Sequence, residues 1–197
     1  MNLIRRVLTN LQTIDASPKY IKTSSASWLV WFEHKHKQRQ QYRLNEDLYD
    51  ACKNIHLSSI RNLIKQGGDP LYQTPRSGEY PPYIWAIFFR RYDVLKVIAN
   101  QKPEHIDKYI ECAIREDNVD ALKCLESEGA DLENSNQLYK RAVDYGSLKA
   151  MKYLVSKGAS VSPHDLEVIS QRYFENDRLE LTRFVLAELQ KKRSFAA

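Results

Sequence analysis

The chain has 197 residues, of which 43% are hydrophobic and 28% are charged, a composition that excludes overall disorder. No apolar run approaches the roughly 20 residues that cross a bilayer, and the run from Trp28 to Phe32 has five. Three cysteines without a close pair supply neither a disulfide framework nor a zinc site. We therefore expect a cytoplasmic protein that needs no metal or cofactor.

The net charge of +5 is concentrated near the amino terminus, where residues 1–43 hold eight Lys or Arg and two acidic residues. The start of the chain lacks the apolar core of a secretion signal. Its leucines and other apolar residues follow a helical period, which indicates a packing helix or, alternatively, an organelle transit peptide. The apolar stripe consists of Leu3, Ile4, Val7, Leu8 and Leu11.

The end of this first segment is an aromatic block, Trp28 to Phe32, followed by a basic tail. We interpret residues 1–43 as a helical segment that caps the repeats described next, because an open end of a repeat stack needs a special terminal unit. Two alternatives are a membrane surface and nucleic acid, which aromatic and basic residues recognise together. The basic residues concerned are Lys35, Lys37, Arg39 and Arg43. His34 and His36 have no third ligand nearby and are predicted to be solvated.

A repeated pattern of offsets begins at Ala51. Leu57 follows six residues later, Ile60 nine, Leu63 twelve and Gly67 sixteen. This spacing is typical of an amphipathic helix with one buried stripe, ended by a glycine. A shorter helix precedes it, so each copy is predicted to be a helical hairpin.

The same offsets recur from Ala113 and Ala142, and also from Ala86 except that Lys102 stands in place of the glycine. The anchors are separated by 35, 27 and 29 residues, and a weaker fifth copy begins near Ser170. Turn-forming residues separate the two helices of a copy. These turns are Asn54-Ile-His, Arg91-Tyr-Asp, Asp117-Asn-Val and Tyr145-Gly-Ser. The apolar positions of the fifth copy are Leu179, Thr182 and Val185, displaced by three additional residues.

The segment from Asp50 to Pro70 closely resembles an ankyrin repeat, and so do the segments Ala113 to Leu132 and Ala142 to Val161. The resemblance covers about residues 44–190. It implies an all-α ankyrin-repeat solenoid of about five helix pairs, formed by residues 44–197 after the amino-terminal cap. The Thr-Pro-Leu-His opening of the family is nowhere intact, which predicts irregular loops in place of regular β-hairpins.

The resemblance also implies that the protein is not an enzyme but binds a protein partner on its concave side. In ankyrin repeats the variable positions lie two and three residues after the anchor alanine. The predicted binding residues there are Phe88, Phe89, Arg115, Glu116, Asp144, Tyr145, Arg172 and Tyr173. Tyr80, Asp107 and Asn136, six residues before each anchor, would flank them. The competing interpretation, intramolecular packing, applies most to Phe88 and Phe89.

Chemical motifs add little. His56 lies where ankyrin repeats keep a histidine as a structural hydrogen-bonding group, and Glu126 and Glu128 end a helix where acidic residues are simply exposed. No nucleophile elbow or phosphate-binding loop is present.

We expect a monomer that inhibits or sequesters its partner, as an immunity or anti-defence protein does. The alternative is an effector delivered into a foreign cell to engage a host protein.

Overall fold

The computed structural model describes residues 25–75, 80–132, 134–172 and 175–195. Over these residues the fold is all-α, with ten α-helices, one short 3₁₀ turn and no strand. Within the same ranges no helix combines the length and apolar character needed to cross a membrane. The stripe from Leu3 to Leu11 and the predicted binding residue Tyr173 lie outside the described residues.

The chain divides into two units by its contacts, Met1–Gln40 and Gln41–Ala197. The first helix, α1 (Ser25–Lys53), contains no Gly or Pro and runs without a break through both this division and the predicted boundary at residue 43. In the first unit, side-chain hydrogen bonds link His34 to Gln38 and His36 to Gln40, one helical turn apart.

The second unit consists of helices that alternate between two layers. Their bounds are α2 (Leu57–Lys65), α3 (Pro82–Phe88), α4 (Tyr92–Gln101), α5 (Ile106–Arg115), α6 (Val119–Ser127), α7 (Ser135–Tyr145), α8 (Leu148–Ser156), α9 (His164–Arg172) and α10 (Glu175–Phe195). One layer is formed by α3, α5, α7 and α9, each in contact with the next. The other is formed by α2, α4, α6 and α8, and the hairpin partners α3–α4, α5–α6, α7–α8 and α9–α10 also contact one another.

The predicted apolar stripe is confirmed in the second to fourth copies. The residues nine and twelve positions after the anchor alanine are fully buried in each. They are Leu95, Ile98, Leu122, Leu125, Met151 and Leu154. Burial of each such side chain contributes roughly 1.5–3 kcal/mol, and because the stripe lies between neighbouring pairs, stability comes from stacking.

The predicted register of the fifth copy was wrong at its anchor and at Leu179, whereas Val185 is buried as predicted. Ser170, its proposed anchor, is exposed, and the buried residue of α9 is Ile169 instead. In α10 the side chain of Leu179 is 51% exposed, whereas Leu181 and Val185 are buried. A pair spaced by four residues on α10 therefore faces the core.

The turns inside the hairpins share one conformation. The residue four positions after the anchor has a positive φ in all four copies: 62° at Ile55, 56° at Arg90, 48° at Asp117 and 69° at Gly146. The next amide then donates to the anchor carbonyl, for example from His56 to Ala51 at 3.0 Å. This arrangement ends a helix with a left-handed residue.

Candidate functional site

Four aromatic side chains lie together around the short helix α3. Tyr80 precedes the helix and stacks on Phe88, with ring centroids 5.6 Å apart. Phe88 contacts Phe89 edge to face at 5.2 Å, and Phe89 contacts Trp85 at 5.2 Å. We call Tyr80, Trp85, Phe88 and Phe89 the aromatic cluster.

The aromatic cluster is on the solvent side of α3. The exposed fractions are 44% for Tyr80, 51% for Phe88 and 52% for Phe89, and Trp85 is half-buried. Ala86 and Ile87, one helical step away, are fully buried. Residues three or four positions apart lie on the same face of a helix, as positions 85, 88 and 89 do. Because the opposite face of α3 is buried, these rings are on its exposed face.

Intramolecular packing accounts for only part of the aromatic cluster. The loop after Gly67 does reach it, because Tyr80 belongs to that loop and covers one side of Phe88. Even so, about half of each phenylalanine remains accessible. Ring pairs of this kind fix one another in place, so the exposed surface is apolar and held in a defined geometry.

The other predicted binding residues form a ladder of polar contacts. The Tyr145 hydroxyl donates to Glu111 Oε1 at 3.0 Å, and Arg141 pairs with Glu111 Oε2 at 2.9 Å. Arg172 Nη1 lies 2.9 Å from Asp144 Oδ1. These contacts join α5, α7 and α9 in sequence, and the hydrogen bond to Glu111 raises the pKa of Tyr145.

Four further predicted residues have different surroundings. Arg115 Nε lies 3.3 Å from Glu116 Oε1, so these neighbours on the chain pair with each other. Asn136 Oδ1 accepts a hydrogen bond from the Ser160 amide at 2.6 Å, which holds the loop before α9. Asp107 is exposed in the first turn of α5, at the opposite end of that helix from Arg115. The predicted set is thus one apolar cluster, several polar groups that are engaged within the chain, and the exposed Asp107.

The residues proposed for nucleic acid are exposed but do not form one face. Lys35 and Arg39 lie one turn apart on α1, whereas Lys37 is two residues from each and projects from another side of the helix. Arg43 belongs to the second unit and is also exposed. Throughout the described part of the chain, no group of three His, Cys, Asp or Glu side chains has the geometry of a metal site.

Two structural expectations about single residues were wrong. The His56 side chain is exposed and makes no capping hydrogen bond to α2; its backbone carbonyl accepts from Ile60 instead. Glu126 and Glu128 are half-buried and paired across the second layer.

The cysteine thiols are buried, and burial raises the pKa of Cys52 to about 12 and of Cys112 to about 11. These thiols are therefore protonated at neutral pH.

Sequence reasoning missed Trp85 and Arg90. Trp85 was detectable, because it precedes Phe88 by three residues and Phe89 by four in a segment predicted to be helical. The stacking of Tyr80 on Phe88 could not be detected from the sequence, since it depends on the path of the loop.

A scan of protein-family models gives no match to this chain, and a search of curated proteins finds no similar sequence.

Proposed function

We propose that this chain is a non-catalytic ankyrin-like repeat protein that binds a protein partner through the aromatic cluster. The observation that carries the proposal is the half-exposure of Phe88 and Phe89 next to Tyr80 on a helix whose other face is buried. Solvent-exposed rings in contact with one another are unusual on a protein that acts alone, and they are enriched at the centres of protein interfaces.

The arrangement of the helices supports an ankyrin-like solenoid. Hairpins with the repeated stripe stack through both of their helices, and the same left-handed turn recurs at the same offset. A stack of this kind presents its first helices side by side. The position of the aromatic cluster at the end of a first helix supports it as the proposed binding surface.

The expected mode of action is occupancy. The two phenylalanine rings supply apolar contact area and no titratable or nucleophilic group, so the proposed effect on a partner is inhibition or sequestration through covering its surface. The rings are held by one another and by α3, which reduces the entropy lost on binding. Partner and surface should meet with little rearrangement of the backbone.

The test compares a double variant in the cluster with a matched one elsewhere. Phe88→Ala/Phe89→Ala removes two half-exposed rings, and Leu179→Ala/Leu186→Ala removes two similarly exposed leucines from α10. Partners are captured from the source cells by cross-linking, identified by mass spectrometry and then purified. Titration calorimetry with the purified partner should show that the cluster variant weakens binding at least about tenfold, whereas the α10 variant leaves it unchanged.

Thermal melts of both variants serve as the control for folding, because exposed side chains contribute little to stability. Equal binding by the cluster variant and the wild-type protein, with both folded, would remove the basis of the proposed function.

A further inference from the structure

Arg90 follows the aromatic cluster directly in the chain and differs from the charged residues around it. It has the left-handed conformation that ends α3, with φ of 56°, and its side chain is exposed. Over the described residues, that side chain makes no ion pair or hydrogen bond with another group. The guanidinium of Arg90 is therefore unpaired, and Arg90 is the next residue after Phe89 in the chain.

Three acidic residues on the helices next to α3 are already paired with basic residues. Glu111 accepts from Tyr145 and pairs with Arg141, and Glu116 pairs with Arg115. Asp93, at the start of the next helix, forms a bidentate contact with Arg91 through Nη2 at 2.8 Å and Nε at 3.3 Å. These three carboxylates, which are engaged with other basic residues, therefore do not neutralise the charge of Arg90.

We propose that the aromatic cluster and Arg90 together recognise an acidic, apolar peptide segment, in which a large apolar side chain covers the rings and a carboxylate pairs with Arg90. This inference deepens the proposed function and depends on it. A planar guanidinium matches a carboxylate through two parallel hydrogen bonds. Next to rings that a partner would cover, such a pair is less screened by solvent than one in open water.

Charge complementarity distinguishes this partner from a basic or purely apolar one. A basic segment would meet the unpaired cation of Arg90 as a like charge, which interfaces avoid. A purely apolar segment has no carboxylate and would leave Arg90 without an ionic partner. Because the contact involves exposed charge, the affinity should fall as salt shortens the Debye length from about 14 Å to about 6 Å between roughly 50 and 300 mM.

The probe is a phage-displayed library of random dodecapeptides, selected on the immobilised full-length protein. Phage that also bind Phe88→Ala/Phe89→Ala are removed before amplification. We expect the enriched peptides to carry Asp or Glu next to Leu, Phe or Trp. Fluorescence anisotropy of one labelled peptide should then give a Kd roughly fivefold weaker for Arg90→Glu, and replacing its Glu with Lys should restore binding to that variant.

The matched control is Lys149→Glu, an equal change of charge at an exposed position of α8. It should alter the Kd by less than about twofold, since only long-range charge is affected. Peptides that require the rings but show no acidic enrichment, or that bind Arg90→Glu unchanged, would overturn this inference and leave the proposed function standing. A selection that yields no peptide dependent on Phe88 and Phe89 would count against both.

Discussion

Asn118 joins three helices with one side chain. Its Nδ2 donates to the Ile87 carbonyl at the end of α3, at 2.9 Å. Its Oδ1 accepts from the Tyr92 hydroxyl in α4 and from the Ala121 amide in the first turn of its own helix, α6. The residue is buried, so these hydrogen bonds are made where water has little access.

We predict that Asn118→Ala lowers the free energy of unfolding by about 2–3 kcal/mol, since it removes a helix cap and two hydrogen bonds to neighbouring helices. Urea unfolding followed by circular dichroism measures the change. Asn100→Ala is the control: that side chain donates to Glu128 at the surface and should cost under about 0.5 kcal/mol. Equal effects of the two substitutions would show that the Asn118 network contributes nothing beyond an exposed hydrogen bond.

Among the elements, α6 is tied to both of its neighbours by acidic residues at its end. Glu128 pairs with Lys96 of α4 at 3.0 Å, and Glu126 accepts from Tyr153 and Lys157 of α8. The hydrogen bonds from Lys157 and Tyr153 hold the pKa of Glu126 below its usual value. These contacts run along the second layer, whereas Tyr145 and Arg172 make the equivalent links in the first.

The lowered pKa fixes the direction of a pH effect. Because the folded protein binds the Glu126 proton less tightly than the unfolded chain, the contribution of this carboxylate is present at neutral pH and is lost as the pH falls through the folded-state pKa. We predict that Glu126→Gln is less stable than the wild-type protein at pH 7, by less than about 1 kcal/mol for so exposed a pair. The difference should shrink below about pH 4.

Chemical unfolding at a series of pH values measures this difference. The control is Glu180→Gln, which removes a carboxylate from α10 that forms no ion pair with another described residue. A difference for Glu126→Gln that stays constant from pH 7 to about pH 3 would mean that the ion pair is not the source of the effect.

The helices of the second to fourth copies could be predicted because their stripes repeat at fixed offsets; the residues nine and twelve positions after each anchor are buried, and those six positions after it are half-buried. The fifth copy was misplaced by one residue at Ile169, since its anchor is not an alanine and the spacing changes. The turns were located, but their left-handed geometry at Ile55 and Arg90 could not be inferred, because these residue types rarely adopt a positive φ. In the sequence, the available signal for this geometry was the glycine at the equivalent position of the fourth copy, Gly146.

The candidate site was predictable only within single helices. Phe88 and Phe89 follow from position in the repeat, and their exposure follows from the helical period. The contacts between helices, such as those from Glu111 to Tyr145 and from Asp144 to Arg172, depend on the register between neighbouring hairpins. A repeat pattern does not determine that register to the precision of a hydrogen bond, so residues expected to face a partner proved to be engaged with one another.

At the scale of the whole second unit, burial is uneven along the stack. Five residues of α5 are buried, whereas α9 has two, Asp165 and Ile169. The pair α9–α10 also has a neighbour on one side only over the described residues. In a stack whose units contact only their neighbours, the end with fewer buried contacts opens first.

Hydrogen exchange measured by mass spectrometry should therefore show faster exchange in α9 and α10 than in α5 and α6. Ile169→Ala removes a fully buried side chain from α9, at a cost of about 2–4 kcal/mol. We predict that it accelerates exchange in α9 and α10 and leaves α5 unchanged, because the lost contacts lie in the terminal pair. Leu122→Ala, buried in α6 at the middle of the stack, should accelerate exchange on both sides. An equal rise in every helix for Ile169→Ala would mean that the unit unfolds as a whole and that its ends are not independent of its centre.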